Sequence, residues 1–429
     1  MTLLRRLPML GRTEPDDAEH SLAAVRSRGR IRGPLMLVGP AFVAAIAYVD
    51  PGNFATNFAG GASFGYELVW VIVAANLMAM VIQSLSGKLG LATGLSLPEL
   101  CREHYRRPVT RGLWVQAEAV AMATDLAEII GGAIALQLLF DIPLFTGGLI
   151  TGAVAFALLG MQSRGFRPFE RVISGLLLVI FLGFLYDLIL VVPDPAGVAS
   201  GLLPSFSGTN SVLLAAGILG ATVMPHVIYL HSALTQRRVS AVTSTERRVL
   251  LRYQRIDVVV AMGLAGLVNL AMLVIAAELF FGSDIPDTDT IEGVHAGLQS
   301  SLGTTAALAF ALALLASGFA SSGVGTYSGQ IVMQGFLRRQ IPLVLRRAVA
   351  MAPALIVLAI GVDPTQALII SQVVLSFGIP FALVPLILLT RRGDIMGDLV
   401  NRRITTVLAG LIAAVIIALN LFLLSQLFV

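Results

Sequence analysis

The chain has 429 residues, 56% of them hydrophobic and 13% charged, with a mean hydropathy of +0.86. That composition excludes an ordinary soluble domain and indicates a polytopic membrane protein. The net charge of +4 is weak ground for a nucleic-acid partner, and one cysteine, Cys101, leaves no intramolecular disulfide and no thiolate cluster.

Residues 1–33 mix seven arginines with acids and prolines and read as a mostly disordered cytosolic tail. Leu3, Leu4 and Leu7 are split by Arg5, Arg6 and Pro8, so no signal peptide is expected. Eleven spanning segments follow, at about 34–64, 68–92, 112–139, 144–162, 170–192, 211–234, 256–281, 304–333, 348–361, 366–390 and 404–428. The first is interrupted by Ala47-Tyr48-Val49-Asp50-Pro51-Gly52-Asn53. A carboxylate at mid-membrane depth costs roughly 3 kcal/mol on insertion scales, and a proline inside a helix about 3 kcal/mol more. A plain anchor needs neither, so the expected structure is a broken helix whose loose backbone faces a cavity. Pro51 cannot donate to the Ala47 carbonyl, which is thereby freed toward Asp50 and Asn53.

The third segment holds Glu118, Asp125 and Glu128. Asp125 and Glu128 are three apart and share a face, and they read first as a proton relay and second as structural carboxylates paired with an arginine. Glu118, nearer the cytosolic end, reads equally as a structural carboxylate paired with an arginine. The sixth segment is broken at Met224-Pro225-His226, which frees the Ala221 carbonyl by the same rule and adds a thioether. Oxygens from Ala47, Asp50, Asn53 and Ala221 with the Met224 sulfur form a donor set for a divalent transition metal. His226 is a candidate proton carrier. His231 reads first as a packing histidine and second as a carrier. The two are five apart and lack the glutamate of a zincin, so a zinc protease is not expected. The small-residue run from Ser317 to Gly329 reads as close helix packing. Gly61-Ala62-Ser63-Phe64-Gly65 matches a nucleophile elbow but lacks the strand context and reads as a glycine-rich turn. Gln372, in the tenth segment, either reaches the central cavity or bridges helices.

The arginines fall in the tail and in the second, fourth, sixth, eighth and tenth loops, and the one lysine, Lys88, at the inner end of the second segment. The odd-numbered loops carry acids, among them Glu67, Asp141, Asp194, Asp289 and Asp363. The positive-inside rule puts the N-terminus in the cytosol and the C-terminus outside, and it accounts for the basic residues without nucleic acid. The breaks lie five crossings apart, which makes two five-helix units of opposite orientation, the plan of inverted-repeat transporters with a midplane site. The expected units are 1–33 as tail, 34–192 as the first repeat, 193–390 as the second, and 391–429 as a loop and an additional eleventh helix.

With Asp50-Pro51-Gly52-Asn53 and Met224-Pro225-His226 in their helices, the chain from about Gly33 onward closely resembles the Nramp family of proton-coupled divalent metal transporters. The resemblance implies an all-α, LeuT-like fold of eleven transmembrane helices with a 5+5 inverted repeat. It implies manganese and ferrous iron as transported substrates, taken into the cytosol with protons, and no resident cofactor. Metal would be held by Asp50, Asn53, Met224 and the carbonyl of Ala47 or Ala221, and protons would move by way of Asp125 and Glu128. Related branches that carry magnesium or aluminium lack the methionine, and a thioether disfavours hard magnesium and calcium more than manganese or iron.

Two other readings compete. A sodium-coupled organic-solute symporter of the same fold would need an aromatic-lined cavity, where this motif offers ligand atoms and small alanines. A membrane metalloenzyme would need a closed set of His, Cys or carboxylate ligands and a base, which the motifs do not provide. The expectation is a bacterial inner-membrane transporter whose partners are metal ions, protons and the bilayer, without an obligatory protein partner.

Overall fold

The computed structural model describes residues 38–162, 166–236, 238, 243–338 and 342–426. The expectations for the tail fall outside these. The described residues form helices and connecting turns, without a strand.

Helix α1 (Pro40–Ile46) runs into a single 3-10 turn, Ala47–Val49, and α2 (Pro51–Phe64) follows after Asp50. Then come α3 (Val69–Thr93), the short α4 (Leu97–His104), α5 (Arg107–Phe140), α6 (Leu144–Gln162), α7 (Phe166–Val191) and the short α8 (Pro195–Ser200). The second broken pair is α9 (Thr209–Thr222) and α10 (Pro225–Thr235). After it stand α11 (Ser244–Leu279), α12 (Ile291–Leu302), α13 (Thr304–Leu337), α14 (Leu343–Ile360), α15 (Pro364–Thr390), the single turn α16 (Gly393–Met396) and α17 (Arg403–Gln426). Eight of these stretches, with Thr209–Thr235 taken as one, are long and apolar enough to cross a bilayer. Pro40–Val49 and Leu144–Leu158 are shorter apolar helices.

Boundaries follow local chemistry. Thr243 and Glu246 close a reciprocal capping box at the start of α11, and Ser96 and Glu99 do the same for α4. Gly65 ends α2 at φ 59°, a conformation that favours glycine. The Gly61–Gly65 stretch is therefore mostly helical, with a turn only at its end. Gly61 lies where α11 crosses, since a Cβ there would overlap the Leu273 carbonyl.

Burial separates two kinds of helix. The α9–α10 pair is buried almost throughout and α13 largely so, while α7 exposes Leu178, Leu182 and Ile189, and α17 exposes Val407, Leu411 and Val415. Apolar helices buried all round form the centre, and those with an exposed apolar face meet lipid. An aromatic knot of Phe54, Phe58, Phe184 and Phe310 ties α2, α7 and α13 together, with ring centroids 5.2 to 6.5 Å apart. Glycines of the 317–329 run sit at close approaches, Gly318 against Gly132 of α5 and Gly325 against the Glu128 carboxylate.

Boundary expectations need correction where charges assigned to loops stand inside helices: Arg111 lies in α5, and Arg247, Arg248, Arg252 and Arg255 lie in α11, which starts at Ser244. Arg346 and Arg347 were counted as loop charges ahead of a segment beginning near residue 348. They are buried within α14, which starts at Leu343. Their charges are tolerated there because each has a carboxylate partner on α5.

Candidate metal site

Asp50 leaves the 3-10 turn in extended backbone, φ −75° and ψ 170°, and N-caps α2. Its Oδ1 accepts the Asn53 N–H at 2.9 Å, and its own N–H donates to Asn53 Oδ1 at 3.3 Å. Pro51 stands at the first helical position, where a missing N–H costs nothing. The cap uses one oxygen of the carboxylate. Asp50 Oδ2 and Asn53 Nδ2 have no hydrogen-bond partner among the described residues, although both side chains are fully buried. An unpaired buried polar atom costs about 1–3 kcal/mol, so these atoms are aimed at something the fold itself does not supply.

The broken backbone above them is held from the side. Asn269 of α11 donates to the Tyr48 carbonyl at 2.8 Å and accepts from Asn57 at 2.9 Å. Ser317 of α13 donates to the Val49 carbonyl at 2.6 Å. These bonds meet the requirement that irregular backbone at membrane depth be satisfied within protein.

At the second break, α9 stops at Thr222 and Met224 stands extended at φ −72°, ψ 121° as the N-cap of α10, with no side-chain cap. The Met224 side chain is completely buried. Pro225 offers no N–H to the Ala221 carbonyl, as expected from the sequence. Ser328 of α13 donates to the His226 carbonyl at 2.7 Å.

The two breaks lie side by side. The 3-10 turn and α2 both touch α9, α1 touches α10, and α15 touches α2, α9 and α10. Gln372 of α15 is wedged between them. A Cβ on Gly52 would overlap its side chain, and one on Gly220 would overlap its carbonyl oxygen. Gln372 Nε2 donates to Ser371 at 3.1 Å, and Oε1 has no partner among the described residues. Gln372, expected either to reach the central cavity or to bridge helices, lies against both α2 and α9. The two breaks and α15 offer one carboxylate, two amide side chains, one thioether and the backbone at Ala47 and Ala221 as donors. Among the described residues, no three His, Cys, Asp or Glu side chains are grouped elsewhere for a metal.

The remaining ionisable residues form a second zone on α5. Asp125 is ion-paired with Arg347, whose other nitrogen donates to Ser322. Glu118 accepts from Trp114 at 3.2 Å and pairs with Arg346 at 3.2 Å. Glu128 is fully buried, and neither carboxylate oxygen meets a hydrogen-bond donor among the described residues; it stands one turn from Gly131, against which Pro51 packs. His226 Nδ1 lies 3.2 Å from Thr124 Oγ1, and its Nε2 has no partner among the described residues. His231 Nδ1 lies 2.9 Å from Gln83, which donates to the Tyr48 hydroxyl at 2.5 Å. The structure thus joins His226 to α5 and His231 to a different chain of polar groups beneath the first break.

Sequence reading missed Asn269, Ser317, Arg347 and Gln83. Asn269 and Gln83 carried a usable signal, as lone amides inside apolar runs. Ser317 was hidden in a small-residue stripe, and Arg347 among loop charges. A further intramembrane acid, Asp187 of α7, is buried with neither oxygen partnered and was also passed over.

A model of the family described as natural resistance-associated macrophage protein-like (Nramp) matches residues 41–426. A divalent metal cation transporter MntH from Deinococcus radiodurans is 52% identical over 98% of this chain and 99% of its own. One of the same description from Bacillus subtilis is 52% identical over 92% and 93%. A crystal structure of a manganese transporter from Eremococcus coleocola superposes with a TM-score of 0.83 at 34% identity, covering 92% of this chain and 87% of that one. MHP1, a nucleobase-cation-symport-1 family transporter, shares the fold alone, with a TM-score of 0.59 at 16% identity over 86% and 82%.

Proposed function

Because the chain belongs to the Nramp family, we propose that it imports manganese and ferrous iron into the cytosol together with protons, by alternating access. It is a multi-pass membrane transporter of divalent metal ions and not an enzyme. The observation that carries the site is Asp50 Oδ2, fully buried at the N-terminus of α2 and without a hydrogen-bond partner among the described residues. A helix N-terminus favours a negative charge there, which a dication then neutralises. Asp50, Asn53, Met224, Gln372 and the carbonyl of Ala47 or Ala221 bind the ion in this reading. The thioether lowers affinity for magnesium and calcium relative to manganese.

A dication binds the ionised carboxylate, so its arrival releases any proton that Asp50 holds. Glu128 and His226 receive and pass that proton, and Asp125, paired with Arg347, stands beside Glu128 on the same route. Glu118, paired with Arg346, lies at the far end of this route, and His231 belongs to a branch through Gln83.

The proposed architecture has eleven crossings. The eight long spans are joined by the α1–α2 pair, α6 and α14, and the breaks stand in the first and sixth crossings. Residues 34–192 and 193–390 form the inverted repeats, 391–429 add the last helix, and the arginine-bearing side faces the cytosol. The bacterial inner membrane is the proposed location.

The decisive experiment is parallel measurement of manganese uptake and internal acidification in proteoliposomes. Proton-dependent manganese entry is expected, and sodium-dependent entry of an organic solute would overturn the reading. Orientation is read separately. Asp289→Cys should react with an impermeant reagent on intact cells and Glu246→Cys only after permeabilisation, and the reverse would invert the model.

A further inference from the structure

A groove of about 960 Å³ opens on the arginine-bearing side, between the first half of α11, the end of α3 and the connection from α16 to α17. Arg248, Arg252, Arg255 and Arg402 line it, with Lys88 and one acid, Asp398. All four arginines are exposed, and none of their side chains forms an ion pair or hydrogen bond among the described residues. Lys88 is buried and hydrogen-bonded to Asn401, which ties the end of α3 to the start of α17.

A topology signal does not require this arrangement. The positive-inside rule counts charges near a membrane end and is indifferent to the direction they face. Arg248, Arg252 and Arg255 are spaced to lie on one face of α11, where like charges four apart oppose the helix. The same face continues into Ile256, Val259 and Val260, which also line the groove and are 45%, 55% and 51% exposed. Ile404, 80% exposed, closes the apolar wall from α17. Along α11 the lining therefore passes from three unpaired guanidiniums to bare aliphatic surface, and Arg402 adds a fourth from the connection before α17. That is the profile of a phospholipid, charged at the phosphate and apolar below it. A soluble anion would meet the arginines but gain nothing from the aliphatic wall.

We propose that this groove is a binding site for an anionic phospholipid, with the headgroup phosphate held by Arg252, Arg255 and Arg402 and an acyl chain lying along Val259 and Ile404. Guanidinium forks suit phosphate oxygens, and basic pockets between transmembrane helices hold anionic headgroups. The bound lipid would bridge α11, within the proposed second repeat, to α17 outside it. Assigning the lipid to the cytosolic leaflet rests on the orientation given above.

Native mass spectrometry of the purified full chain tests this with phosphatidylglycerol and phosphatidylcholine offered together. Phosphatidylglycerol should be retained preferentially, and Arg252→Gln, Arg255→Gln and Arg402→Gln should each weaken it about fivefold. Ile404→Ser with Val259→Ser should weaken it too, while Arg391→Gln, exposed on the same side, should not. Equal retention of phosphatidylcholine, retention unchanged in the arginine variants, or displacement by millimolar glycerol 3-phosphate would overturn the proposal, the last by showing a plain anion site. If cysteine labelling instead inverted the orientation, preferential retention in these assays would stand and the lipid would belong to the opposite leaflet.

Discussion

The two helix breaks are built differently. At the first, the carboxylate is locked by a reciprocal cap, and side chains from two other helices hold the exposed carbonyls of Tyr48 and Val49. At the second, Met224 has no side-chain cap. The one side chain seen to hold that break from outside, Ser328, serves a carbonyl already inside α10, where the helix supplies its own donor four residues on. The first break is thus a fixed charged site and the second a looser, polarisable one. A carboxylate must be held where its charge is useful, since its burial is expensive. A thioether has little burial cost and can move with its helix. α13 reaches both, because Ser317 and Ser328 are eleven residues apart, close to three turns, and so share a face.

The largest expected effect comes from removing the charge. Asp50→Asn keeps the shape and the cap but leaves the donor set neutral. Manganese uptake in proteoliposomes should fall at least about a hundredfold, equivalent to roughly 2.8 kcal/mol of lost transport-competent binding. Uptake within threefold of the parent would mean that the charge at the first break is not what binds the ion.

Next is the holding of the backbone. Asn269→Leu orphans the Tyr48 carbonyl and the Asn57 amide, at about 1–3 kcal/mol each, so uptake and thermal stability should both drop, uptake by about tenfold. Ser328→Ala removes a second bond from a carbonyl that keeps its helical one and should cost under about 1 kcal/mol. Equal losses in the two variants would erase the distinction between a fixed and a loose break.

Met224→Ala should reduce manganese uptake only a few-fold and admit calcium as a competitor, because the donor set becomes oxygen-only. A calcium inhibition curve superimposable on the parent's would show that Met224 merely packs.

The same contrast explains what could be read from the sequence. Both breaks, the acid and the thioether were visible because proline, glycine and a carboxylate are costly in an apolar run and so demand a reason. The groups that hold the breaks were not visible. Asn269 and Ser317 lie more than two hundred residues from the carbonyls they serve, and nothing local in either helix points to that contact. Arg347 was misplaced because an arginine at the edge of a hydrophobic run looks the same whether it ends a loop or enters the helix to meet Asp125. Gln372 was seen as polar, but its place between Gly52 and Gly220 follows from how α15 crosses both breaks, which only the packing shows.

The smallest effect on metal uptake, and the sharpest on coupling, is expected on α5. This helix touches both breaks, through Pro51 packed on Gly131 and through Thr124 beside His226. Glu128 lies between those contacts with no donor to either oxygen among the described residues, whereas Asp125 is held by Arg347. In the proposed route Glu128 carries the proton and Asp125 keeps the arginine from neutralising it. Asp125→Asn should therefore leave manganese uptake within about threefold at saturating metal, while acidification per manganese falls and the dependence of uptake on external pH flattens. Glu128→Gln should lower acidification per manganese further, since the carrier itself is gone. The double variant should resemble Glu128→Gln alone, because two residues of one route are not additive. Normal acidification per manganese in both single variants and in the double would leave these acids a structural role. The first break would then have to hand its proton elsewhere, and the Tyr48–Gln83–His231 chain beneath it would be the remaining connected group of polar side chains.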